Sequence, residues 1–125
     1  MKCFVFEGWL LLLYFDYIMR FRGFSAVHRL VRQQGIRPAS AADRVASERL
    51  CHAVDLACVL YFKRVMCLQR SAAAAILLRR HGWKAEMVIG AQLLPFRSHA
   101  WVEIDGDIVN DKPYMLDIYR VLERC

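Results

Sequence analysis

A thiol becomes a useful nucleophile when its thiolate is favoured and an imidazole stands near enough to take or share the proton. This chain offers five cysteines for the first role (Cys3, Cys51, Cys58, Cys67 and Cys125) and four histidines for the second (His28, His52, His81 and His99). Cys67 is set apart by its place. It opens CLQRSAAAAILLRR, a run dominated by Ala and Leu, both strong helix formers. The unpaired N–H groups and the positive dipole end of that helix start favour a thiolate. Cys51 and Cys58 fall in mid-helix and read as small buried hydrophobes, while Cys3 and Cys125 near the termini carry no expected function. His99 opens a strictly alternating segment. His28, His52 and His81 lie on or at the ends of helices with no orienting acid in view, and read as surface residues.

A third group should hold the imidazole's tautomer and stabilise the imidazolium. Asp105, Asp107, Asn110 and Asp111 follow His99, and the first two belong to an Asp-Gly-Asp turn where Asp serves its own backbone. The choice between the other two depends on hairpin register, because side chains alternate faces. A three-residue loop pairs Ile104 with Ile108 and puts Asp111 on the face of His99, whereas a two-residue turn puts Asn110 there. Parity alone leaves both open.

Positioning these groups takes a helical first half and a stranded second half. The segment 8–20 reads as a strongly apolar helix, and Ser25 can cap a second helix running to Gln34, ended by Gly35. Ser40 to Asp43 reads as the start of a third helix, with Ala46, Leu50, Ala53, Val54, Ala57 and Leu60 as its buried stripe. The fourth spans residues 67–80, with Arg79, Arg80 and His81 placing positive charge at its C-terminal end and Gly82 stopping it. Residues 84–91 and 99–104 then alternate as strands, with Ala100, Val102 and Ile104 on one face and His99, Trp101 and Glu103 on the other. Residues 108–111 return as a partner strand, and 114–125 are ambiguous between helix and strand. Helices followed by a small antiparallel sheet make an α+β fold, expected as a single domain over 1–125.

With 58% hydrophobic and 24% charged residues, 125 residues can bury a real core without a staple. Five scattered cysteines without a CxxC pair suit reduced thiols in a cytoplasmic protein better than disulfides, and no zinc spacing is present. No metal or cofactor is expected. The net charge of +6 is spread along the chain with no nucleic-acid-binding signature, so nucleic acid is not an expected partner. Glu7 and Asp16 interrupt the apolar N-terminal segment, which reads as a core helix rather than a membrane span or signal peptide. Peripheral contact with a membrane surface stays open beside that reading without being favoured.

The runs CLQRSAAAAILLRRHG, VIG and PFRSHAWVEIDGDIVND together resemble the maturation proteases of lasso peptide biosynthesis. These are transglutaminase-like (papain-like) cysteine peptidases that cut the leader from a ribosomally made precursor. The resemblance covers residues 67–111, with weaker similarity in the Arg-rich helices before and the YRVLER end. The C-L-x-R-S helix start is specific only in combination with H-A-W-V-E and its glycine turn. The resemblance implies a nucleophile at Cys67, a base at His99 and an acid at Asp111, which favours the three-residue loop. It also implies a thioester intermediate and three partners: the precursor's leader, a separate leader-recognition protein and an ATP-dependent cyclase. The length fits the standalone form. The Cys67 N–H should contribute to an oxyanion hole, Gln69 inside the helix is not assigned to it, and its second donor is not identified. Two other readings remain: a transferase or amidase on the same triad, and a non-catalytic peptide-binding module.

Overall fold

The computed structural model describes residues 4–37, 45–93, 96–111 and 115–125. Four helices precede the sheet: α1 (Phe4–Arg22), α2 (Phe24–Gln33), α3 (Ser47–Leu60) and α4 (Cys67–Arg80). Strands β1 (Ala85–Leu93), β2 (Phe96–Ile104) and β3 (Asp107–Ile108) follow, then a short α5 (Met115–Ile118) and β4 (Arg120–Arg124). The antiparallel sheet runs in the order β3-β2-β1-β4. The architecture is the expected α+β arrangement.

α4 is the axis of the molecule. Leu68, Gln69 and every residue from Ser71 to Arg79 are buried, which a run of four alanines allows because backbones can approach it closely on all sides. α1 and α3 pack on it from one side. Met87 and Ile89 of β1 and Ala100, Val102 and Ile104 of β2 join the same core from the other. The helix stops as its sequence predicts: Gly82 takes φ 87°, and the Gly82 and Trp83 N–H groups bond back to the Arg79 and Leu78 carbonyls.

Several local expectations shift. α2 is capped by Gly23 rather than Ser25, because the chain leaves α1 through Gly23 at φ 83° and starts α2 directly. Its end is the extended Gln34, without a left-handed Gly35. α3 starts at Ser47 after Ala46, and the proposed opening at Ser40 to Asp43 lies outside the described residues. Leu60 is exposed rather than part of the α3 stripe. Arg79 is buried instead of decorating a helix end: its Nε donates to Ala85 O (2.9 Å), its Nη2 to Cys125 O (2.7 Å) and its Nη1 to Val31 O and Gln34 O. One guanidinium thus ties α2, α4, β1 and the end of β4 together, and burial pulls its pKa down.

The second sheet face, the one that bears His99, Trp101 and Glu103, is also covered. Val88, Trp101 and Met115 form a small separate core with Ile108, Tyr119 and Val121 packed against it. Glu103 can be buried there because Trp101 Nε1 (2.9 Å) and Arg124 Nη1 (2.5 Å) both donate to its carboxylate. This cover comes from the ambiguous tail, which resolves into α5 and an edge strand pairing with β1.

α1 is apolar on two faces. Leu11, Leu12, Phe15 and Ile18 are buried, while Phe6, Leu10, Tyr14, Tyr17 and Phe21 are exposed. Among the described residues, no helix is long and apolar enough to cross a membrane.

Candidate active site

Cys67 is the first residue of α4. Met66 before it is extended (φ −78°, ψ 156°) and provides no side-chain cap, so the first-turn N–H groups beside the Cys67 sulfur have no side-chain acceptor from that position. The turn is held by the Arg70 N–H bonding to Met66 O at 3.1 Å. Cys67 is half-buried and lines a cavity of about 190 Å³ together with His99. Phe24, Leu68, Ile89 and Leu122 form its apolar walls. A larger cavity of about 390 Å³ between α1, α2 and α4 has neither thiol nor imidazole in its lining, so the smaller one is the candidate site.

His99 stands on β2 opposite Gly90 of β1. Tyr119 stacks on its ring (centroids 5.3 Å apart, planes at 23°), and Trp101 lies 6.1 Å away. Gly90 makes this packing possible: a Cβ there would meet Trp101 Cη2 at 2.7 Å and Tyr119 Cβ at 2.9 Å. The His99 Nε2 is 2.5 Å from Asp111 Oδ2, with side-chain exposures of 24% and 13%, so the pair is shielded but not sealed from water.

The register behind this contact is not the three-residue loop. Ile104 pairs with Asp107 and Glu103 with Ile108, leaving a two-residue turn in which Asp105 (φ 51°) and Gly106 (φ 85°) both take the left-handed conformation of a type I′ hairpin. By parity alone Asn110 would share the face of His99. It does not meet the imidazole, because regular pairing ends early. β3 is two residues long rather than spanning 108–111, Val109 N–H still reaches Val102 O, and Asn110 and Asp111 then bend out of the strand. Asn110 instead accepts the Val102 N–H on Oδ1 (2.6 Å) and donates from Nδ2 to Ser71 Oγ (3.3 Å). The bend delivers Asp111 to His99. Asp105 and Asp107 stay exposed in the turn.

Sequence reasoning passed over Arg70. Its Nη2 donates to Asn110 O at 2.9 Å and lies 3.7 Å from Asp111 Oδ2. The available signal was the R-S pair of the C-L-x-R-S start. Gln69 faces a different small cavity, lined with Asp16 and Tyr61, in keeping with leaving it unassigned.

The other thiols are held protonated. Burial, then the Asp55 charge, pushes Cys51 up to about 11 against Arg70's opposing pull, and burial is likewise the first cause of raised values at Cys58 and Cys125. Cys3 lies outside the described residues. Two histidines expected at the surface are largely covered: His28 sits 3.2 Å from Glu123 Oε2, and His81 packs edge-on against Phe4. Helix packing and the β4 tail, neither of which periodicity locates, supply those neighbours. Among the described residues no group of three or more His, Cys, Asp or Glu is arranged to hold a metal ion.

A thiol at a helix start lining one cavity with a strand histidine that pairs to a carboxylate, on an α+β scaffold, fits the transglutaminase-like class. The chain belongs to the transglutaminase-like superfamily, whose family model matches residues 9–124. It is similar to the microcin J25-processing protein McjB of Escherichia coli, with 41% identity over 56 residues. That stretch covers 45% of this chain and 27% of the relative's own length. No solved structure gives a significant match.

Proposed function

We propose that this chain is a cysteine peptidase that removes the leader from a ribosomally made lasso peptide precursor, using Cys67, His99 and Asp111. The 2.5 Å contact between His99 Nε2 and Asp111 Oδ2, beside a cavity that His99 shares with Cys67, carries the reading. The superfamily membership and the similarity to a microcin J25-processing protein support it.

With Nε2 committed to Asp111, Nδ1 is the nitrogen of His99 that serves as base toward Cys67. Proton transfer from Sγ to Nδ1 gives a thiolate–imidazolium pair, and the thiolate adds to the scissile carbonyl carbon. The oxyanion that forms is met by the Cys67 N–H at the start of α4. The imidazolium then protonates the leaving amine as the C–N bond breaks, leaving a thioester and freeing the core peptide's new N-terminus. His99 next takes a proton from water, the hydroxide adds to the thioester, and the C–S bond breaks to release the leader's carboxylate and regenerate the thiol. A separate recognition protein holds the leader and presents the junction, which raises its local concentration to the millimolar range for a short flexible connection. An ATP-dependent cyclase consumes the product.

The test is precursor cleavage followed by chromatography, with and without the recognition protein. The expected result is weak cleavage alone, strong stimulation by the partner and none with Cys67→Ala. Cleavage by Cys67→Ala at the wild-type rate overturns the assignment.

A further inference from the structure

The R-S pair that follows Cys67 by one helical turn has no part in the chemistry above, yet both side chains reach the loop that carries the acid. We infer that Arg70 is a positioning residue, a bracket that fixes the Asp111 carboxylate against His99 by tying the Asn110-Asp111 bend to the helix bearing Cys67. The inference rests on the triad reading and deepens it.

The geometry is specific. The guanidinium donates to Asn110 O at 2.9 Å and lies 3.7 Å from Asp111 Oδ2, the same oxygen that meets His99 Nε2. Its side chain is 30% exposed, so this is not a freely solvated surface pair. Its Nε is buried with no hydrogen-bond partner among the described residues, which marks a side chain held by its far end. Ser71, fully buried on the next position of α4, takes Asn110 Nδ2 at 3.3 Å. The need for a bracket follows from the register. The ladder that would have fixed a longer β3 ends at Ile108, so Asp111 sits on a bend that strand pairing does not hold. Two consecutive residues of the nucleophile's own helix replace that pairing, and they set the distance from helix to acid at the same time. The charge also matters. Asp55 on α3 acts on the same region: its carboxyl is raised by desolvation first, is lowered by Arg70 and His52, and is raised further by Asp111. Arg70 and Asp111 thus act on the Asp55 carboxyl with opposite sign, as a cation and an anion held in one place do. Both contacts are made by the one nitrogen Nη2, at the tip of a side chain one bond longer than lysine's, so a lysine keeps the charge but not the reach.

The experiment uses the full chain and two readouts. The first is alkylation of Cys67 by iodoacetamide at neutral pH, followed by peptide mapping; it needs no knowledge of the substrate. The second is kcat and KM for precursor cleavage in the presence of the recognition protein. Arg70→Ala should slow both Cys67 alkylation and kcat about 10- to 100-fold, the range in which outer partners of a reactive centre act, with KM within about twofold. Arg70→Lys should recover part of the loss, and added guanidinium ion should partly rescue Arg70→Ala but not Cys67→Ala. Unchanged alkylation and kcat in folded Arg70→Ala overturn the bracket. So does a loss confined to KM, or full recovery in Arg70→Lys. If the wild type cleaves no precursor while Arg70→Ala still slows alkylation, the bracket stands and the peptidase reading falls.

Discussion

Asn110 and Asp111 are neighbours with different expected roles, and substituting each in turn separates them. Asp111→Ala removes the acceptor of the 2.5 Å contact to His99 Nε2. An orienting acid in such a triad is worth up to about four decades in kcat. Both partners retain some exposure here, so water can partly replace the carboxylate, and a loss of about 10²–10⁴ is expected, or about 3–5 kcal/mol of transition-state stabilisation. Asn110→Ala removes the acceptor of the Val102 N–H (2.6 Å) and the weaker 3.3 Å bond to Ser71. Val102 is buried, so leaving its N–H unpaired should cost about 1–3 kcal/mol of stability. The assay is precursor cleavage at a temperature where thermal melts show both variants folded. Asp111→Ala should be nearly inactive with a small change in Tm, and Asn110→Ala should lose Tm and a smaller part of its activity, since the bend that carries Asp111 loses its tie to Ser71 but keeps the one from Arg70 to the Asn110 carbonyl. A larger activity loss in folded Asn110→Ala than in Asp111→Ala refutes the assignment of the acid.

Burial holds Cys51 and Cys58 protonated, so limited iodoacetamide at neutral pH should modify Cys67 well before either; peptide mapping that finds Cys51 labelled first contradicts this. Gly90→Val places a side chain where Trp101 and Tyr119 already stand, which should cost about 1–3 kcal/mol in a melt and reduce cleavage by shifting the ring under His99. Burial, the hydrogen bond to Asp16 and its charge push the Tyr61 phenol up to about 12 from 10.0. Its neutral form is favoured in the fold, so its contribution is complete below pH 10.0 and is lost as pH rises toward about 12. Urea midpoints across that window should fall less steeply in Tyr61→Phe than in the wild type.

The helix that opens with Cys67 was fully legible in the sequence. Its alanine run, basic end and Gly82 stop are local signals, and its bounds came out as read. The faces of β2 were legible for the same reason, since strict alternation is a property of neighbours in sequence. Asp111 was named through family resemblance, yet the loop length argued for it was wrong. Strand parity applies only while pairing lasts, and no local signal showed that β3 would end after two residues. Arg70, Tyr119 and the cover over Trp101 were illegible because they depend on contacts 18 to 40 positions apart, between elements whose docking no periodicity reports. The buried state of Arg79 was missed for the same reason: a basic residue in a last helical turn looks the same in sequence whether it meets water or four carbonyls.

The central claim is that the acyl group of the substrate passes through Cys67, and intact-mass spectrometry of acid-quenched reactions reads this most directly. Wild-type protein mixed with precursor and recognition protein should show a transient adduct of the leader's acyl mass, mapped to the peptide that begins α4 and sensitive to hydroxylamine as a thioester is. The adduct should be absent from Cys67→Ala. Full turnover with no adduct at any quench time in a slowed His99→Ala or Asp111→Ala background, or an adduct on another residue, would contradict the account.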